Sequence, residues 1–140
     1  MNILILAAHP DDETIGMGAT IKKLSKKNKI HLCVLTDGAS AQYKDKKMIL
    51  ERRNACKKSG KILGISNYTF LDFPDMKLDS IPHLEINKEL EKIISKFKPK
   101  IVYSPPSHDL NKDHRLVFDS ALVATRPFSS SVKQLLSYEC

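Results

Sequence analysis

No apolar run in this 140-residue chain approaches the roughly 20 residues that a membrane-spanning helix needs. The run Ile3-Leu4-Ile5-Leu6-Ala7-Ala8 lacks the basic start and the cleavage site of a signal peptide, so the cytoplasm is the expected location. Cysteine is scarce. Three residues, an odd number without paired spacing, fit reduced thiols rather than a disulfide framework. Cys33 lies in a strand pattern and Cys56 in a helical one, both read as small core residues, while Cys140 is terminal. Zinc-finger spacing, an RNA-binding aromatic signature and a basic arm are all missing. So is a glycine-rich phosphate loop: Gly16-Met17-Gly18 is not G-x-G-x-x-G, and carboxylates beside it would repel phosphate. No repeat, low-complexity tract or linker divides the chain, which reads as a single domain over residues 1–140.

What is present is ordinary in bulk, with 41% hydrophobic and 28% charged residues, but basic, with a net charge of +7. The lysines are spread over helix faces, as at Lys22, Lys23, Lys26, Lys27, Lys57 and Lys58. That distribution predicts a solvated basic face and no nucleic-acid partner, and it is compatible with an anionic small-molecule substrate.

Strand and helix patterns alternate. Strands are expected at Asn2–Ala8, Ile30–Thr36, Tyr68–Leu71, Ile101–Ser104 and Val132–Tyr138. Helices are expected at Ile15–Lys27, Asp45–Leu63 (closed by Gly64), Pro82–Phe97 and Asp113–Thr125. Repeated β-α units imply an α/β fold with a mostly parallel, doubly wound sheet and right-handed crossovers.

Two strand ends carry chemistry. The first runs into His9-Pro10-Asp11-Asp12-Glu13, placing an imidazole and three carboxylates on one short loop. Helix capping explains one or two acids there, but not His-Pro and three acids together. The fourth strand runs into Pro105-Pro106-Ser107-His108-Asp109-Leu110-Asn111-Lys112-Asp113-His114. In open α/β sheets, sites form in the crevice beyond the carboxyl ends of the strands, and this mixture of imidazole and carboxylate suits a divalent metal.

These motifs resemble the PIG-L/LmbE-like N-acetylglucosaminyl deacetylases: His9-Pro10-Asp11-Asp12-Glu13, then Gly16, and a late Asp-x-Asn-x-Asp-His-Arg at 109–115. Thr36-Asp37-Gly38, Leu63-Gly64, Leu71-Asp72-Phe73-Pro74-Asp75 and Ala124-Thr125-Arg126-Pro127 extend the resemblance along most of the chain. It implies a three-layer Rossmann-like domain with strand order 3-2-1-4-5. It also implies His9, Asp12 and His114 as metal ligands and Asp11 as the general base that activates the attacking water. Zinc is the expected ion, with iron or manganese as substitutes in the same donor set. The implied reaction is hydrolysis of the acetamide of an N-acetylated amino sugar, in a glycan, a sugar nucleotide or a glycoside.

Other residues are expected near the site in weaker roles. Glu13 either orients a ligand or favours the helix start. Arg52 falls at the centre of an apolar stripe of Met48, Ile49, Ala55, Cys56, Ser59, Ile62 and Leu63. Two readings stay open for it: pairing with an acid or a substrate anion, or a packed stem with its head in solvent. His108 lies near His114 in sequence and either serves the site or lines its rim. Asn111 stands where many relatives have His, so it can donate a hydrogen bond but cannot shuttle a proton. Asp113 is expected to hold Asn111 or a ligand in place. Asp37, Asp72 and Asp75 occupy other strand ends on the same side of the sheet, with turn chemistry as their default reading, and His31 and His83 read as structural or surface residues.

The chain stops where family members usually continue into a carboxy-terminal section. That predicts an under-covered crevice, with self-association or a separate completing segment. Two other functions compete with the deacetylase: a degenerate relative that keeps fold and metal without turnover, and a basic nucleotide- or RNA-binding α/β module.

Overall fold

The stretch Ile3–Ala8 is apolar at every position, the pattern of a strand covered on both faces. In the computed structural model, which describes residues 1–140, all six of these residues are fully buried. The strand β1 (Asn2–Ala7) sits at the middle of the sheet, parallel to β2 (Lys29–Thr36) on one side and β4 (Ile101–Ser104) on the other. Ile5 lies opposite both Leu32 and Tyr103. β3 (Asn67–Phe73) adds beyond β2 and β5 (Gln134–Ser137) beyond β4, giving five parallel strands in the order β3-β2-β1-β4-β5.

Four helices complete the element order: α1 (Asp12–Leu24), α2 (Lys47–Leu63), α3 (His83–Phe97) and α4 (Lys112–Ala124). The pleat of β1 sorts its side chains between two cores. Ile3, Ile5 and Ala7 pack with Met17 and Ile21 of α1 and Cys56 of α2. Leu4, Leu6 and Ala8 pack with Ile86, Leu90 and Ile94 of α3 and Val117 and Ala121 of α4. The molecule is therefore a three-layer α/β sandwich, and parallel strands bring every βα connection to one edge.

Some boundaries differ from the sequence reading. α1 starts at Asp12 rather than Ile15, because the acids of the first motif themselves form its first turn; it kinks at Met17 (φ −145°, ψ 22°). β3 extends to Phe73, and β5 is only Gln134–Ser137. The stripe drawn on α2 is narrower than expected. Only Cys56 and Gly60 are buried, and Ile62 is 71% exposed, because α2 rests one edge on α1 and β3 and nothing covers its outer flank. Gly38 has φ +65°, and a Cβ there would overlap the Pro10 ring, so the turn after β2 is pressed against the first motif.

Candidate functional site

The ends of β1 and β4 are neighbours in the sheet, so their two loops converge although His9 and His114 are 105 residues apart. His9 Nδ1 lies 3.2 Å from His114 Nε2. Asp12 joins them with both carboxylate oxygens, Oδ2 3.6 Å from His9 Nδ1 and Oδ1 3.4 Å from His114 Nε2. A tetrahedral zinc ion with ligands at about 2.0–2.1 Å has ligand–ligand edges of about 3.3–3.4 Å. The His9–His114 separation is close to such an edge, and one donor atom from each of the three residues lies within 4.8 Å of the others, so they can hold a metal ion.

Each imidazole is anchored through its other nitrogen. Asp113 Oδ2 is 3.2 Å from His9 Nε2, and its Oδ1 accepts the Leu78 N–H at 3.1 Å. Asp109 Oδ2 lies 2.8 Å from His114 Nδ1. A carboxylate behind an imidazole fixes its tautomer, leaving His9 Nδ1 and His114 Nε2 free to face each other. The backbone N–H of His9 donates to Asp12 Oδ2 at 2.8 Å, which orients the third donor.

Burial and neighbouring charge act in opposite directions on the titratable groups of the cluster. Burial alone would lower the His9 pKa, but hydrogen bonds to Asp113 and Asp12 and the field of Asp75 raise it to about 10. Burial opposes ionisation of Asp12, yet His114 and His9 hold its carboxyl well below the usual range. His114 is likewise raised, burial being outweighed by Asp12 and Asp109.

Asp11 and Asp12 diverge sharply. Asp12 is buried, whereas Asp11 stands at the rim with its side chain 45% exposed. Arg52 Nη2 donates to Asp11 Oδ2 at 3.4 Å, so the guanidinium reaches an acid from across the α1–α2 interface; half exposed, it does not point into the core. Glu13 is fully buried in the first turn of α1, the place that the helix-start reading gave it. Its Oε1 accepts from Thr14 Oγ1 at 2.8 Å and Cys56 Sγ at 3.7 Å, beneath the site between α1 and α2, and burial pushes its pKa up.

Asn111 caps α4: its Oδ1 accepts the Asp113 N–H at 2.9 Å, and its Nδ2 faces Met76 Sδ. Asp113 spends its carboxylate on His9 rather than on Asn111. His108 is not brought to the cluster; it is exposed and 3.5 Å from Glu139 at the rim. Asp37 forms the expected turn, accepting from the N–H groups of Ala39 and Ser40. His31 bonds Thr69. Asp75, placed by the sequence reading at a strand end on this side of the sheet but taken by default as a turn residue, has a larger part than that default. Buried, with Oδ1 3.4 Å from His9 Nε2, it belongs to the cluster and not merely to a turn. The available signal was its position just beyond β3, on the edge where the other site residues gather.

Residues 4–125 match the PIG-L family, described as GlcNAc-PI de-N-acetylase. The chain belongs to the PIG-L family. This PIG-L chain is 34% identical over 122 residues to the diacetylchitobiose deacetylase of Thermococcus kodakarensis, covering 81% of the chain and 45% of that protein. It is 32% identical to the uncharacterized deacetylase YaiS of Escherichia coli K12, covering 98% of the chain and 72% of that protein. Its fold superposes on N,N'-diacetylchitobiose deacetylase from Pyrococcus horikoshii with a TM-score of 0.79 and 30% identity, over 89% of the chain and 49% of that structure. The chain thus spans about half the length of the two diacetylchitobiose deacetylases that it resembles.

Proposed function

We propose that this PIG-L chain hydrolyses the acetamide of an N-acetylated amino sugar, with His9, Asp12 and His114 holding one zinc ion and Asp11 acting as general base. The observation that carries the reading is the convergence of two imidazoles and one carboxylate, His9 Nδ1 3.2 Å from His114 Nε2 with Asp12 Oδ2 3.6 Å from the first and Asp12 Oδ1 3.4 Å from the second, and Asp11 beside them at the solvent-facing rim. A bound zinc ion would act as a Lewis acid toward the amide carbonyl and lower the pKa of water. Asp11, half exposed, is free to take the proton of the attacking water and to return one to the departing amine. Arg52 Nη2 donates to Asp11 Oδ2 and holds that carboxylate at the rim. Asp113 and Asp109 hold the imidazoles through His9 Nε2 and His114 Nδ1. Asn111, committed to capping α4, leaves proton return to Asp11. Similarity to the two diacetylchitobiose deacetylases supports an N-acetylglucosamine-type substrate.

The test is metal analysis of the purified chain together with amine release from N-acetylglucosamine derivatives. About one ion per chain and release that stops with a chelator are expected. Metal bound without release from any amino-sugar derivative would support a degenerate relative instead.

A further inference from the structure

The opposite edge of the sheet has a different character. The four connections there, residues 22–30, 60–67, 95–101 and 124–134, contain eleven Lys/Arg and no Asp or Glu. The whole chain has 23 Lys/Arg and 16 Asp/Glu, so the remaining twelve cations and sixteen acids leave the rest of the molecule at −4, against +11 on this edge. The net charge of +7 therefore comes entirely from one edge. All eleven of these cations are exposed.

Complementing helix dipoles does not account for this. All four helices end at this edge, where a cation in the last turn offsets the carbonyl end of α1, α2 and α3 but not of α4. Lys22, Lys23, Lys61 and Lys96 serve there. Lys26, Lys27, Lys29, Lys98, Lys100 and Lys133 lie outside the helices and are not explained that way. The only ion pair recorded for the eleven is that of Arg126, whose Nη2 lies 3.5 Å from Glu91.

A second observation specifies the partner. Phe128 is wholly exposed (108%) and held at φ +69°, a left-handed conformation unfavourable for an aromatic residue. It lines a cleft of about 600 Å³ together with Lys98, Ser129–Ser131 and Glu91, the acid that pairs with Arg126. Ile62, 71% exposed, ends α2 on the same edge. Apolar side chains projecting from a lysine-rich surface match a bilayer interface, where anionic headgroups attract the lysines and the rings enter the acyl boundary. Duplex nucleic acid fits less well, because this edge offers only helix carbonyl ends and no helix amino terminus to meet phosphate.

We infer that this edge docks the protein reversibly on an anionic lipid bilayer. Strands of four to eight residues separate it from the site, so His9 and His114 face water about 20 Å above the headgroups. The docked chain then receives its substrate from the aqueous side.

Sedimentation of the whole chain with vesicles tests this, comparing phosphatidylcholine alone with phosphatidylcholine containing phosphatidylglycerol. Binding only to the anionic vesicles is expected, weakening as salt rises. A Lys26→Glu/Lys27→Glu/Lys98→Glu variant should bind at least about tenfold more weakly. Phe128→Ser should bind several-fold more weakly with an unchanged salt slope, and both variants should keep the parent's metal content and circular dichroism. Equal binding to neutral vesicles, no binding to either, or undiminished binding of the lysine variant would overturn the inference. So would complete release from anionic vesicles by duplex DNA that the chain binds more tightly.

Discussion

Asp11 and Asp12 are chemically identical neighbours, but the turn into α1 gives their carboxylates opposite surroundings. Asp12 is enclosed by two imidazoles and the His9 N–H, while Asp11 meets solvent and Arg52. Asp11→Asn should therefore leave metal content unchanged and lower amine release by roughly two to four decades, the contribution of a positioned base. Asp12→Asn should lose the ion, and with it the activity. Metal analysis of both variants separates the roles; equal metal loss would mean that the two were assigned wrongly. Asp113 acts one step further out. Asp113→Ala frees His9 to rotate and leaves the Leu78 N–H without its acceptor, so metal affinity should fall by about 10–100-fold, measured by competition with a chromophoric chelator. Retained affinity would show that Asp75 alone suffices to hold the imidazole.

At the level of elements, the turn after β2 braces the first motif. Gly38 needs its left-handed φ, and its missing Cβ leaves room for Pro10. Gly38→Ala should destabilise the fold by about 1–3 kcal/mol and weaken metal binding by moving His9, which thermal melts and metal titration would register together. Loss of stability with untouched affinity would show that the loop absorbs the clash away from the site. Which parts of this arrangement could be read from sequence depends on whether the cause is local. The order of strands and helices followed from unbroken apolar runs and helical periodicity, and the β1 and β4 loops announced themselves by composition. Glu13 did not: the kinked start of α1 turns it beneath the site against Cys56, a contact between helices that no local pattern encodes. Asp75 looked like a turn residue because Pro74-Asp75 is good turn chemistry; only the packing of that turn over His9 reveals its second use. The α2 stripe failed for a related reason, since periodicity shows which side chains share a face but not whether anything covers it.

For the molecule as a whole, the unmetallated site couples stability to pH. His9 and His114 have pKa values raised in the fold, His9 to about 10. Groups raised in this way contribute stability that is fully present below the unfolded histidine value of about 6.5 and is lost as pH climbs through the folded value. A bound metal requires neutral imidazoles, so its stabilisation runs the other way, growing as protons cease to compete. The gap in melting temperature between zinc-loaded and chelated protein should therefore widen steadily from pH 6 to pH 9. A gap independent of pH would mean that the ion is not held by these histidines. The sheet order carries a consequence for biosynthesis. Central β1 needs β4 on one flank, and Ile3 and its partner Ile101 are 98 positions apart. At about 5–20 residues per second, the ribosome takes about 5–20 s to deliver that flank. Throughout that interval a wholly apolar strand hangs from the nascent chain with an unsatisfied edge. Translational pausing before Ile101, or a shortage of holdase chaperones, is thus where the yield of soluble protein will be decided.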